Sequence, residues 1–143
     1  MSKEHKDYYK TMQDYYKQQE RFYDKTTEIE KKKKDIISQL KKQSELLEDI
    51  QKITLERDKL KQKTSDKDNE KDKMNLTKKE EELIKKDHDL KKNAIEVQKK
   101  ENELEKLKLE LEKIKNESAD ALNKAQSLKP ASGAEELQID IKN

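Results

Sequence analysis

There is no cysteine in this chain, no tryptophan, one glycine (Gly133) and one proline (Pro130). Without cysteine there is no disulfide framework and no thiolate metal centre. Both backbone breakers lie beyond residue 129, so nothing before them forces a helix to stop. One glycine cannot build a Gly-rich phosphate cradle. Long apolar runs are also missing. No stretch approaches the ~20 residues of a membrane-spanning helix. The opening MSKEHKDYYK is charged and lacks the apolar segment of a secretory signal, so the expected setting is cytoplasmic. Apolar residues make up 29% of the 143, against about half in a typical compact domain, which is too little for an ordinary globular core. Nor is there an excess of one charge. Lys and Arg number 35 and Asp and Glu 33, so self-repulsion does not hold the chain open.

What is present is a helix-forming composition rich in Lys, Glu, Leu and Gln, with an apolar repeat of seven. In the first half one column reads Tyr8, Tyr15, Phe22, Ile29, Ile36, Gln43 and Ile50. A companion column four residues on reads Met12, Gln19, Thr26, Lys33, Leu40, Leu47 and Thr54. Near Leu46 the stripe shifts to Leu46, Ile50, Ile53, Arg57 and Leu60. The second half is more regular. Leu76, Leu83, Leu90, Val97, Leu104 and Leu111 form one column, and Lys79, Lys86, Asn93, Lys100, Leu107, Ile114, Ala121 and Leu128 form the other. Alternating steps of three and four keep such residues on one slowly drifting face of a helix. Repeats this long predict an all-α protein built as a long heptad-repeat coiled coil. Glu81–Lys85, Glu82–Lys86 and Glu96–Lys100 stand in the favourable i,i+4 order and reinforce the second helix.

Between the halves, residues 64–75 read TSDKDNEKDKMN, dense in side chains that compete for backbone hydrogen bonds. Thr77 and Glu80 fit a capping box that would start a new helix. Leu60 and Leu76 are two residues out of phase with a repeat of seven, which one stutter or stammer does not repair. The expected organisation is a first helix over 1–63, a polar break over 64–76 and a second helix over 77–128. The break is either the tip of an antiparallel hairpin or an interruption in one rod. Residues 129–143 form a short flexible or strand-like tail, in which Leu137, Ile139 and Ile141 alternate with polar residues.

No constellation of catalytic groups is evident, and no cofactor is expected. His88 stands between Asp87 and Asp89, but neighbours on a helix point about 100° apart and do not converge on one ion. The expected partners are therefore other protein chains, in a homo-oligomer or as a subunit of a hetero-complex. The aromatics carry the sharpest signal. All six fall in three adjacent pairs, Tyr8–Tyr9, Tyr15–Tyr16 and Phe22–Tyr23, each seven residues after the last. Such a wide stripe suits three or more helices or docking on a larger surface. Tyrosine suits an interface because its ring buries area while its hydroxyl stays wet. The expected protein interface comprises Tyr8, Tyr9, Met12, Tyr15, Tyr16, Phe22 and Tyr23, with Leu104, Leu107, Leu111 and Ile114 as the best zipped part of the second helix. These aromatics either pack within the chain or dock a partner. The run Lys31, Lys32, Lys33 and Lys34, with Lys41 and Lys42, is a candidate contact for a polyanion such as a microtubule or nucleic acid. Nucleic acid is disfavoured, because Glu28, Glu30 and Asp35 offset the run and only Arg21 and Arg57 are arginines. A chaperone-like clamp ranks last, since the break offers only Met74 as an apolar tip residue.

Overall fold

The structure is a computed structural model. It describes residues 2–66 and 70–129, and of residues 64–66 the backbone alone. The centre of the polar break and the alternating residues Leu137, Ile139 and Ile141 lie outside the described residues.

Two helices account for nearly all of it, α1 (Lys3–Asp66) and α2 (Glu70–Leu128). Ser2 starts α1. Its Oγ accepts the backbone N–H of His5 at 3.2 Å, satisfying one of the amides left open at a helix start, and its carbonyl accepts that of Lys6 in the first bond of the helix. α2 begins earlier than the expected capping box. Thr77 lies inside the helix, and its hydroxyl donates to the Lys73 carbonyl at 3.0 Å. Residues 70–76, placed in the expected break, are thus helical, with Glu70 and Asp72 in the first turn, where the helix dipole favours acid. α2 ends at Leu128, one residue short of Lys129, whose position before Pro130 disfavours helical backbone.

The contacts divide the chain into two units, one of Met1–Lys31 with Leu104–Asn143, the other of Lys32–Glu103. In each, a segment of α1 packs antiparallel against a segment of α2. In the first unit the crossing contacts are Gln19 to Ser118 (2.7 Å), Arg21 to Glu117 (3.7 Å) and Lys25 to Glu110 (2.6 Å). In the second, besides a hydrogen bond from Asn93 to Gln39, they are Lys32 to Glu103 (2.6 Å), Asp35 to Lys100 (3.7 Å), Asp49 to Lys86 (3.2 Å) and Glu56 to Lys79 (2.7 Å). In both units the number on α2 falls as that on α1 rises, as an antiparallel pair requires, and across the ion pairs of the second unit the steps are equal. Lys86 reaches Asp49 across the helices, where the local spacing suggested Glu82. Lys100 combines its expected partner Glu96 (3.9 Å) with Asp35.

The side chains taken from water are few. Ile29, Ile114 and Ala125 are buried in the first unit with Thr11 and Ser118; Ile36 and Val97 are buried in the second with Asn93. On α2 every member of both seven-residue columns is buried or half-buried. On α1 the first column, Tyr8 to Ile50, is likewise shielded. The companion column needs correction. Lys33, Leu40 and Leu47 are exposed, Leu47 at 52%. The shielded positions there lie one residue earlier, at Lys32, Gln39 and Leu46. The cause is geometric. Steps of three and four both return to the first column's side of a helix, and the placement of α2 selects the three.

Candidate functional site

The aromatic patch belongs to the first unit. Its pairs split by position on the helix. Tyr8, Tyr15 and Phe22 share the column facing α2 and are half-buried. Tyr9, Tyr16 and Tyr23 stand one residue on, about 100° around the helix, and are 49%, 60% and 72% exposed. Small residues on α2 make room for the inner row. Ser118 is buried, and with Ala119 and Leu122 it lines a groove of about 290 Å3 that also takes Tyr15, Gln19 and Phe22. Gln19 fixes this arrangement by donating its Nε2 to Ser118 Oγ at 2.7 Å. Thr11 is buried because its hydroxyl donates to the Asp7 carbonyl of its own helix at 2.8 Å. Met12 is half-buried beside them.

Two of the inner rings brace their outer neighbours. Tyr8 and Tyr9 meet edge to face with ring centroids 5.3 Å apart, and Tyr15 and Tyr16 are tilted at 5.6 Å. Both distances lie in the range where aromatic pairs attract. Tyr9 and Tyr16 are thereby held, and with Tyr23 the exposed rings recur at seven-residue spacing along one face, where each heptad turns a straight helix by only ~20°. Below them Lys25 donates to Glu110 at 2.6 Å and to Glu28 at 3.3 Å. The hydrogen bond to Glu110 is the chief cause that raises the Lys25 pKa above the ordinary lysine value, and the same bond lowers that of Glu110.

The remaining expected interface residues lie on the α2 side of the first unit. Ile114 is buried at 4% exposure, and Leu104, Leu107 and Leu111 are half-buried. They are covered by α1 and belong to the seam, so they present little to an outside partner.

The lysine run does not behave as one surface. Lys32 is half-buried and donates to Glu103 at 2.6 Å; this bond raises its pKa and lowers that of Glu103. Lys31, Lys33, Lys34, Lys41 and Lys42 are exposed. Lys42 lines a groove of about 720 Å3 in the second unit together with Glu45, Asp49, Asp89 and Glu96, so its local field is of mixed sign. His88 is exposed, and its neighbour Asp87 pairs with Lys91 at 3.0 Å. No group of three or more metal-ligating side chains occurs among the described residues, and none of the described helices is long and apolar enough to cross a membrane.

Two features escaped sequence reasoning. Asn93 is buried and donates Nδ2 to the carbonyl oxygen (3.1 Å) and Oε1 (3.3 Å) of Gln39. It was visible as a polar residue in an otherwise apolar column, but its partner lies 54 residues away and no local pattern names it. The second is a row of exposed aliphatics on α1, Ile37, Leu40, Leu47 and Leu55. Their apolar character was legible, but their outward placement was not.

No protein-family model matches this chain, and no curated protein or solved structure matches it.

Proposed function

We propose that this is a non-enzymatic coiled-coil structural protein, which serves as a scaffold, spacer or tether subunit of a larger intracellular assembly. Its helices associate along their apolar seams, where burial stabilises by about 25 cal/mol per Å2 of apolar surface. The face formed by Tyr9, Tyr16 and Tyr23 docks another protein chain. One observation carries this reading. Three tyrosines lie exposed at seven-residue spacing, while the aromatic neighbour of each is turned toward α2. A monomeric helix pair has no need of three exposed aromatic rings, and tyrosine is among the residues that dominate binding hot spots.

The test replaces Tyr9, Tyr16 and Tyr23 together with Ser. Helicity by circular dichroism should survive, while recovery of the chain's natural associates should be lost. Loss of helicity together with self-association would place the patch inside the protein's own fold and remove the docking role.

The exposed Lys31, Lys34 and Lys41 support a second, weaker reading as a polyanion-binding accessory factor. Replacing Lys31 to Lys34 with Gln should then abolish cosedimentation with the polymer, and binding should fall steeply with salt.

A further inference from the structure

The exposed rings of α1 begin beside the point where α2 ends. Gln19 meets Ser118. Tyr9 stands ten residues before Gln19, and Leu128 ten residues after Ser118. The antiparallel pairing therefore brings the end of α2 close to Tyr9, at one end of the exposed row. Residues 130–143 follow in the sequence and lie outside the described residues. A segment of that length reaches up to about 46 Å when extended, whereas Tyr9 to Tyr23 spans about 21 Å of helix. It is long enough to turn at Pro130 and Gly133 and run back along the whole row. Its pattern suits that course. Leu137, Ile139 and Ile141 share one side of an extended chain. Leu137 to Ile141 spans ~13 Å, enough to bridge the ~10 Å of helix between two neighbouring exposed rings such as Tyr16 and Tyr23.

Charge follows the same course. Residues one, three or four positions from a ring are its neighbours on the helix surface. The charged ones are Lys6 and Lys10 at Tyr9, with the half-buried His5; Lys17 and Glu20 at Tyr16; and Glu20 and Asp24 at Tyr23. Asp7, Asp14, Arg21 and Lys25 are two positions from a ring and stand about 200° round the helix from it. Along the row, base therefore leads and acid follows. Residues 130–143 have the opposite order, with Glu135, Glu136 and Asp140 ahead of Lys142, their only base. We propose that residues 134–141 lie as an extended strap over Tyr9, Tyr16 and Tyr23 in the free chain, and that a docking protein displaces them. A segment on a short tether acts at an effective concentration of about millimolar, so the chain's own tail takes this face ahead of the tail of a second copy. The strap makes docking conditional, because the apparent affinity of a partner falls with the fraction of chains whose face is open.

The displacement rests on the reading of the tyrosine face as a docking site; the contact itself does not. The chain has no tryptophan, and all five tyrosines lie between residues 8 and 23, so its intrinsic fluorescence reports this patch alone. The experiment measures quenching of that fluorescence by acrylamide, a neutral quencher, in the full chain. Replacing Leu137, Ile139 and Ile141 together with Ser should raise the quenching constant with helical circular dichroism unchanged, since these residues lie beyond both helices. Lys10→Glu with Lys17→Glu should raise it as well, and adding Glu135→Lys with Glu136→Lys should bring it back down. Quenching that is the same with and without the three aliphatics would overturn the inference, as would a charge reversal that its counterpart does not rescue. Protection that fades on dilution would assign the cover to a second copy and overturn it too. The two readings fail separately. Unchanged quenching removes the strap and leaves docking intact. Recovery of associates that survives the triple tyrosine replacement removes docking, while the quenching result still stands.

Discussion

Asn93 is the residue at which packing and specificity are most clearly opposed. It occupies a column otherwise filled by Leu107, Ile114 and the stems of lysines, and it is only 8% exposed. Its Nδ2 is fixed by the Gln39 carbonyl, which can only accept, so the amide cannot be turned the other way. Oδ1 is left buried without a hydrogen-bond partner. A buried acceptor in that state costs about 1–3 kcal/mol, whereas replacing it with an apolar group of similar shape removes the penalty. Asn93→Leu should therefore stabilise the chain by about 1 kcal/mol, measured by urea denaturation. A fall in stability would mean that Oδ1 is already satisfied and that the Gln39 bonds outweigh the burial cost. Polar residues at such positions are the known means by which helix pairs fix register. Sliding α2 by one heptad would carry Asn93 away from Gln39 and toward Lys32 or Leu46.

The two helices illustrate how a repeat becomes a seam. On α2 the columns are apolar at Leu104, Leu107, Leu111 and Ile114 and charged at Lys79 and Lys86, and both fall on the shielded side. Energetic weight should concentrate where shielding is deepest. Ile114→Ala removes a side chain that is 4% exposed and should cost about 2–5 kcal/mol. Leu109→Ala, five residues earlier on the same helix but 70% exposed, should stay within about 0.5 kcal/mol. Thermal melts of both variants read the difference, and equal losses would show that the seam is not where burial places it. α2 was legible because its two columns run unbroken from Leu76 to Leu128, whereas Ile84, Ile95 and Leu109 stand outside them at irregular spacing and are exposed. α1 was not, because Leu46 and Leu47 are adjacent and Leu40 sits one residue from Gln39. Either companion column continues the first, and only the position of the neighbouring helix chooses between them. The same ambiguity hid the exposed row and made Leu40 and Leu47 read as seam residues. The aromatic patch was better defined, since adjacent side chains on a helix cannot both face one neighbour, and each pair had to split.

At the scale of the whole molecule the crossing ion pairs act together. Glu56, Glu103 and Glu110 have their pKa values lowered, each chiefly by a lysine hydrogen bond from the other helix. Lys25, Lys32 and Lys79 have theirs raised by the same bonds. A depressed carboxylate stabilises the fold above its unfolded pKa of about 4.3, and that contribution is lost as pH falls through the lower folded value. A raised lysine stabilises below its unfolded pKa of about 10.4, and that contribution is lost as pH rises through the higher folded value. Thermal stability should therefore hold a plateau across neutral pH and decline at both extremes, with each arm reduced by high salt because the pairs are exposed. Glu103→Gln should flatten the acid arm in part. Stability that climbs as pH falls below 4 would mean that these pairs contribute nothing.

The amino-acid sequence by itself determined that the chain is helical, since it lacks breakers before Pro130 and repeats its apolar residues in sevens. It determined also that the aromatics gather on one segment and where the two columns of the α2 seam run. Tertiary structure decided that the helices lie antiparallel, which companion column on α1 is covered, and which lysines are held by carboxylates on the other helix. The reason is one of range. Helix formation and periodicity are written in residues three to seven apart, whereas a contact such as Lys25 to Glu110 joins residues 85 apart. Which residues meet across that distance depends on how the second helix is placed, and many placements satisfy the same local pattern.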